Sequence, residues 1–383
     1  MEDDTPPRFD FKRCNITDFR RLIKETDWAV LHKLNVEECW NLIYSKLDEG
    51  MEKFVPKVDI KSRRKSPPWM NPFVKKSIKK KHKLFKKLFN SNNSYVYKLY
   101  MNARNESARI VKNAKKNYQK DMASKIESNP KVFWRYINSN RKNKDGIAPL
   151  STDNINFETN NKNKADMLNN FFSSVFTVED LNNIPDTTPG EKSNNCFISD
   201  IIVTELLKLK INKSPGPDKL FPLLLFILSE ELALPITILF NKSLETGVLP
   251  SAWKHAEVTP IFKKGSKVSP NNYRPVSLTS ILCKTLESFV RDSIQEHMES
   301  LNLYTDCQHG FRTGRSCVSQ LLEVFNDFSK FSDSNDPFDV IYLDFAKAFD
   351  TVPHERLLRK MSAYGIGGNI LKWTKRQNTT SKS

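Results

Sequence analysis

The charge of residues 61–120 is the feature that most constrains how this 383-residue chain can fold. The stretch holds 19 Lys and Arg residues and one acidic residue, Glu106, while the whole chain carries a net charge of +17. Acidic side chains for i,i+4 pairing are almost absent, so the lysines would repel one another without an external polyanion. The stretch therefore favours nucleic-acid binding, and a membrane surface is the alternative.

Apolar periodicity divides the rest of the chain. Spacings of three and four predict helices over residues 17–56 and again from about 72 to 138, with a break at 90–94. Residues 143–197 are rich in Asn, Asp, Thr and Lys and predict a linker with one helix at 164–176. The predicted regions are a helical segment (1–56), a basic nucleic-acid-binding region (57–142), this linker (143–197), a second globular unit (198–373) and a disordered tail (374–383). The predicted nucleic-acid contacts of the basic region are Lys75, Lys76, Lys79, Lys80 and Lys83.

Targeting and cysteine patterns indicate an intracellular protein, nuclear or cytoplasmic, that is not secreted. The N-terminal residues have no apolar run typical of a signal peptide. The most apolar segment, residues 221–240, is interrupted at Ser229 by two glutamates and predicts two buried helices that cannot span a bilayer. The six cysteines form no C-x-x-C pair, and Cys307, His309 and Cys317 are interpreted as unrelated residues and not as a metal cluster. No membrane contact and no obligate protein partner are expected.

A basic turn lies between two strand-like segments at residues 258–278. The sequence "VTPIF" leads into Lys263 and Lys264, and a polar loop then leads to Arg274. Lysine point charges and the planar arginine fork on either side of a turn suit a triphosphate. An ordinary basic hairpin explains these residues equally well. Upstream, S-P-G-P-D at 214–218 predicts a tight turn whose Asp218 caps the following helix.

The stretch "DVIYLDFAKAFDTVPH" (339–354) places Asp344 at the end of an apolar run. Residues 340–343 predict a buried central strand, and a carboxylate at its end is well placed to bind a hard cation. Arg312 and Arg315 lie shortly before it on a glycine-punctuated turn, "GFRTGRS".

The order of these motifs resembles the reverse transcriptases of non-LTR retrotransposons of the jockey/CR1-like kind. The motifs are S-P-G-P-D, I-F-K-K-G-S, N-Y-R-P-V-S-L, G-F-R-T-G-R-S and L-D-F-A-K-A-F-D-T-V-P-H, and the resemblance covers roughly residues 200–373. Each motif is weak alone, but five in order are specific. The resemblance implies an α+β fold, in which a mostly helical N-terminal region precedes a partial right-hand polymerase fold with fingers and the first part of the palm.

The resemblance also implies roles for individual residues. Asp344 would be the catalytic metal-binding carboxylate, with the backbone carbonyl of Phe345 as an auxiliary ligand for one of two Mg²⁺ ions. Phe349 would be the gate that excludes a ribose 2′-hydroxyl. Arg274, Lys263 and Lys264 would hold the deoxynucleoside triphosphate. Arg312 and Arg315 would lie near the nucleic acid. The partners would be an RNA template and a DNA primer.

Two-metal chemistry requires further carboxylates. The family supplies them from an aromatic-x-Asp-Asp hairpin downstream, whereas residues 351–383 contain one acid, Glu355. The sequence therefore predicts a C-terminally truncated reverse transcriptase that does not polymerise alone. Two alternatives remain: a non-catalytic nucleic-acid-binding module derived from a retroelement, and a host protein built on a polymerase-like scaffold.

Overall fold

A computed structural model describes most of the chain, and contacts divide it into two units. The first unit comprises residues 1–7 and 59–148, and the second comprises residues 8–58 and 149–383. The structure describes residues 8–58, 67–91, 93–124, 126, 133–134, 136–137, 146–153, 155–184 and 202–380. The predicted linker residues 185–197 and the last three residues of the predicted tail lie outside these ranges.

Helices dominate the described residues. In chain order they are α1 Ile16–Glu25, α2 Val36–Phe54, α3 Pro72–Ser91, α4 Ser94–Ser124, α5 Asn161–Ser173, α6 Ile202–Leu207, α7 Pro222–Ile227, α8 Ser229–Thr246, α9 Ile281–Ser300, α10 Cys317–Asp333, α11 His354–Ala363 and α12 Gly368–Thr380. Two antiparallel pairs of strands accompany them: β1 Arg8–Phe9 with β2 Lys57–Val58, and β3 Glu257–Phe262 with β4 Tyr273–Leu278. A mostly helical chain with small sheets is consistent with the predicted α+β class.

The first unit is built on a helical hairpin. Helices α3 and α4 pack together in antiparallel directions, as shown by the ring contact of Phe85 with Tyr100 (5.4 Å between centroids) and the ion pair of Lys80 with Glu106 (3.7 Å). The break between the helices falls within the predicted stretch at 90–94, where Asn and Ser favour local side-chain hydrogen bonds over a continuing helix.

The core of the second unit forms where α1 and α2 pack against α8. Helix α2 begins at a capping box, in which Asn35 and Glu38 satisfy each other's backbone N–H groups. The ammonium of Lys242 on α8 donates to the backbone carbonyls of Leu31 (2.9 Å), His32 (3.0 Å) and Leu34. These carbonyls lie at the end of the 3₁₀ helix Trp28–Lys33, so one side chain joins the N-terminal segment to the core.

The apolar segment at 221–240 forms two helices, as predicted. Helix α7 ends at Ile227 and α8 begins at Ser229, and their inward-facing leucines and isoleucines are buried. Within the described residues, no helix has both the length and the apolar character needed to cross a membrane.

Helix α12 also packs on α8. The buried indole of Trp373 donates to the hydroxyl of Ser243 across 3.2 Å. The helix continues through Thr380, whereas the sequence predicted a disordered tail from residue 374.

The predicted buried strand at 340–343 is wrong. These residues form no strand, and the side chains of Ile341 and Leu343 are 82% and 90% exposed. The physical reason is the lack of a neighbour: β3 and β4 pair with each other, and none of the described strands lies beside residues 340–343. An apolar run becomes a central strand only when other strands accept its hydrogen bonds. The partial polymerase fold therefore stays a prediction.

Candidate nucleotide site

The basic turn at 258–278 folds as the β3–β4 hairpin. Ile261 pairs with Arg274, and the ladder continues one step further because the N–H of Lys263 donates to the carbonyl of Asn272 across 2.8 Å. Side chains alternate along a strand, so Lys263 and Arg274 share one face of the hairpin. Lys264 lies beyond β3, in the bend with Gly265. The pincer inferred from sequence therefore consists of Lys263 and Arg274.

All three of these cations are exposed. Among the residues that the structure describes, neither lysine nor Arg274 forms an ion pair with a carboxylate. Gly265 turns the loop with a φ of +86°, and a Cβ there would lie 2.9 Å from the Asn272 amide, so the turn requires glycine. The result is a turn that presents positive charge to solvent, which suits an anionic ligand.

The S-P-G-P-D turn packs against the end of β4. A Cβ on Gly216 would lie 2.5 Å from the carbonyl oxygen of Thr279, so only glycine allows this approach. Asp218 is buried and accepts the N–H of Leu220 across 3.3 Å, and burial raises the pKa of its carboxyl while the Ser280 hydroxyl opposes the rise. The predicted helix-capping role is wrong, because α7 begins after Phe221 with no side-chain cap. Asp218 instead stabilises the turn itself.

Asp344 lies at the surface, in the irregular stretch before a turn at 346–351. Phe345 and Phe349 are 84% and 83% exposed. The ring of Phe349 meets that of Phe311 edge-on, at 6.4 Å between centroids. Phe311 belongs to the "GFRTGRS" motif, so the structure brings two sequence motifs together here.

The donor set for a metal at Asp344 is small. Asp344 offers one carboxylate and the carbonyl of Phe345 lies next to it, and both are donors that Mg²⁺ accepts. In the described part of the chain, no group of three or more His, Cys, Asp or Glu side chains could hold a metal ion. These residues fit Mg²⁺ as two contributors to a larger ligand set.

The two arginines of "GFRTGRS" contact the protein itself. Arg312 donates to both carboxylate oxygens of Glu299 (3.4 and 3.2 Å) and to the carbonyl of Thr305 (3.0 Å), and its side chain is 15% exposed. Arg315 pairs with Glu323 at 2.9 Å. In this structure both guanidinium groups hold the turn against neighbouring helices, which sequence alone did not indicate.

His309 is a residue whose role the sequence did not reveal. Its buried ring lies 2.9 Å from the hydroxyl of Ser319 and 2.9 Å from the carboxylate of Glu323, while Cys307 and Cys317 are exposed. The His309 hydrogen bond is the main cause of a lowered pKa for Glu323, and Arg315 adds to it. The only local signal was the i,i+4 spacing of Ser319 and Glu323 on α10, since His309 lies in the turn before that helix.

The five predicted nucleic-acid contacts lie together on α3. Lys75, Lys76, Lys79, Lys80 and Lys83 are all exposed. Exposed aromatic rings accompany them on the same helix: Phe73 is 66% and Phe89 is 85% exposed. The helix thus presents positive charge beside apolar rings, the combination that suits single-stranded nucleic acid.

Comparisons with known proteins cover less than half of the chain. Residues 261–382 match the reverse transcriptase (RNA-dependent DNA polymerase) family. The chain is 31% identical to the probable RNA-directed DNA polymerase from transposon BS of Drosophila melanogaster over 161 residues, which are 42% of this chain and 18% of that protein. It is also 31% identical over 157 residues to the RNA-directed DNA polymerase from mobile element jockey of Drosophila melanogaster, covering 40% of this chain and 17% of that protein.

A third relative, the probable RNA-directed DNA polymerase from transposon X-element of Drosophila melanogaster, is 31% identical over 167 residues, or 43% of this chain and 18% of that protein. The chain thus spans less than a fifth of the length of the curated relatives it matches. The resemblance drawn from the motifs is confirmed: residues 261–382 match the reverse transcriptase family, and the chain is similar to the RNA-directed DNA polymerases of transposon BS and of the mobile element jockey.

Proposed function

We propose that this chain carries the nucleotide-binding part of an RNA-directed DNA polymerase that copies retrotransposon RNA into DNA. The observation that carries the proposal is the β3–β4 hairpin, which sets Lys263 and Arg274 on one exposed face at the start of the matched segment. The Arg274 fork and the Lys263 ammonium would bind the phosphates of an incoming deoxynucleoside triphosphate.

The motif around Asp344 supports the other proposed roles, which are metal binding and sugar selection. Its carboxylate and the Phe345 carbonyl would contribute to a Mg²⁺ site, and the ring of Phe349 would exclude a ribose 2′-hydroxyl by shape. Two Mg²⁺ ions, when bound, supply activation of the primer hydroxyl and neutralise charge on the leaving pyrophosphate. RNA template and DNA primer are the proposed partners, and the proposed location is intracellular.

We expect the 383-residue chain by itself not to extend a primer. Asp344 is exposed, and the described residues place no carboxylate cluster around it that would hold two ions. The test is primer extension on poly(rA) with Mg²⁺ and dTTP. Extension by the wild-type chain that is lost in Asp344→Ala would contradict this expectation.

A second candidate function is nucleic-acid binding by the first unit without catalysis. The observation in its favour is the row of five exposed lysines on α3. If these lysines neutralise about five phosphates of a single strand, affinity should fall roughly 100-fold between about 50 and 200 mM salt.

Filter binding of a labelled single-stranded RNA tests this candidate. Replacing the five α3 lysines by glutamine should remove most of the salt dependence. A control with five exposed lysines of the second unit changed to glutamine should retain it: Lys24, Lys33, Lys254, Lys284 and Lys375. Equal losses in both variants would show that only overall charge matters.

A further inference from the structure

The polar segment 149–183, whose composition predicts a linker, contacts both parts of the candidate site. Its first end forms an isolated bridge between Leu150 and Glu158 and lies against the loop of the β3–β4 hairpin. The N–H of Ser151 donates to the carbonyl of Val268 across 2.9 Å, and Leu150 is fully buried. Helix α5 packs on the 3₁₀ turn Pro270–Asn272 of the same loop.

The second end of the segment reaches the turn at 346–351 that carries Phe349. The ammonium of Lys347 lies 4.3 Å from the centroid of the Phe171 ring, a cation–π contact. The hydroxyl of Thr177 donates to the carbonyl of Thr351 across 2.9 Å. One contact therefore lies near each end of the turn.

Glu179 fixes the helix that follows this turn. Helix α11 has Pro353 at its N-cap, a residue with no side-chain acceptor for the first N–H groups. The carboxylate of Glu179 accepts the N–H groups of Glu355 (2.9 Å) and Arg356 (3.0 Å) instead. These are the donors that a Ser, Thr, Asp or Asn cap would normally satisfy, and a carboxylate there also complements the helix dipole.

The capping contact is largely shielded from water. The Glu179 side chain is 9% exposed, and the guanidinium of Arg356 lies 3.7 Å from its carboxylate. Arg356 also donates to the carbonyl of Asn183 across 2.9 Å. A carboxylate this buried, with two backbone donors and one cation, holds its helix end firmly.

We propose that segment 149–183 is a brace that fixes the Phe349 turn relative to the β3–β4 hairpin, with Glu179 as the positioning residue. The segment touches the hairpin loop at one end and both the turn and α11 at the other, so it sets the distance between the triphosphate-binding face and the sugar gate. The functional part of this inference rests on the proposed roles of Phe349, Lys263 and Arg274.

Hydrogen–deuterium exchange of the full chain tests the structural part. Glu179→Ala should speed exchange of the amides at 347–357 by about tenfold, since two charge-assisted hydrogen bonds are lost. Asp180→Ala is the matched control, because Asp180 accepts only the N–H of Asn182 in its own turn among the contacts described. Exchange in α8 should stay unchanged in both. Unaltered exchange at 347–357 in Glu179→Ala would overturn the brace.

A second variant distinguishes a local effect on the turn from general unfolding. If Glu179→Ala speeds exchange throughout the chain, Glu179→Gln is measured, since its amide oxygen keeps one acceptor while the charge is lost. Faster exchange confined to 347–357 in Glu179→Gln supports the brace, and uniform or unaltered exchange overturns it.

Nucleotide competition measures the preference for dTTP over UTP, a ratio that a loss of stability alone would not change. Photocrosslinking of labelled dTTP with Mg²⁺ is competed by unlabelled dTTP or UTP. Glu179→Ala should reduce the preference for dTTP over UTP severalfold and leave the affinity for dTTP within about twofold, because the hairpin cations are untouched. An unchanged preference, or an equal change in Asp180→Ala, would overturn the positioning role. If the wild-type chain binds neither nucleotide, the proposed function fails, and the exchange experiment alone decides the brace.

Discussion

Helices α8 and α10 are similar in length and both rich in apolar residues, yet their surroundings are opposite. Helix α8 has 18 residues and buries most of its apolar side chains against α1, α2, α6 and α12. Helix α10 has 17 residues and buries none. Apolar spacing therefore specifies a helix, whereas burial requires a neighbouring element. The same holds for residues 340–343, which are apolar and exposed.

The largest expected effect is on the free energy of unfolding, and it compares a leucine on α8 with a leucine on α10. Leu239 on α8 is fully buried and Leu322 on α10 is 65% exposed. Leu239→Ala should lower the free energy of unfolding by about 2–5 kcal/mol, because it leaves a cavity in the core. Leu322→Ala, the same chemical change, should alter it by less than about 0.5 kcal/mol. Urea denaturation followed by circular dichroism measures both. Equal costs would show that α10 is packed like α8.

The next effect concerns the link between α8 and the N-terminal segment. Lys242→Met removes the donor to three backbone carbonyls, and we expect a loss of about 2–4 kcal/mol in the free energy of unfolding. Lys254→Met is the control, since Lys254 is exposed. Denaturation curves that coincide for the two variants would refute the role of Lys242.

A smaller effect distinguishes the two kinds of arginine near the candidate site. Arg312→Gln should lower the free energy of unfolding by about 1–3 kcal/mol, because it breaks a shielded contact with Glu299. Arg274→Gln should leave stability within about 0.5 kcal/mol, since Arg274 is exposed. Urea denaturation of both variants measures the difference, and equal losses of stability would contradict a structural role for Arg312.

The smallest effect is a pH dependence at the junction of α10 with the "GFRTGRS" turn. The pKa of Glu323 is lowered in the folded chain, chiefly by its hydrogen bond to His309. Its contribution to stability is therefore present above the ordinary value of 4.5 and is lost as pH falls through the lower folded pKa.

Denaturation between pH 7 and pH 3 checks this dependence. Glu323→Gln should be less stable than wild type at pH 7, and the difference should shrink below pH 4.5. Glu296→Gln, which changes another exposed acid, should show no such convergence. A constant gap between Glu323→Gln and wild type would contradict the linkage.

Sequence reasoning succeeded where the pattern is local. The split of residues 221–240 followed from Ser229 and two glutamates, and the break near 90–94 followed from its Asn and Ser residues. The hairpin followed from a strand-like run and a glycine turn. Each of these depends on residues within a few positions of one another.

Contacts between distant residues could not be predicted in the same way. Glu179 lies in a stretch whose composition indicates a linker, and only the folded chain brings its carboxylate to the start of α11. The pairing of Arg312 with Glu299 could not be predicted either, because Glu299 belongs to the preceding helix. The strand at 340–343 failed because strand formation depends on neighbours that a single stretch does not reveal.

Photocrosslinking of labelled dTTP to the full chain with Mg²⁺ decides whether the β3–β4 hairpin binds nucleotide. We expect crosslinking to wild type and a loss of about tenfold or more when Lys263→Gln and Arg274→Gln are combined, since two phosphate contacts from one face disappear. Lys264→Gln, in the bend beyond β3, should lose much less. Equal crosslinking in all three proteins would show that the hairpin cations do not bind the nucleotide.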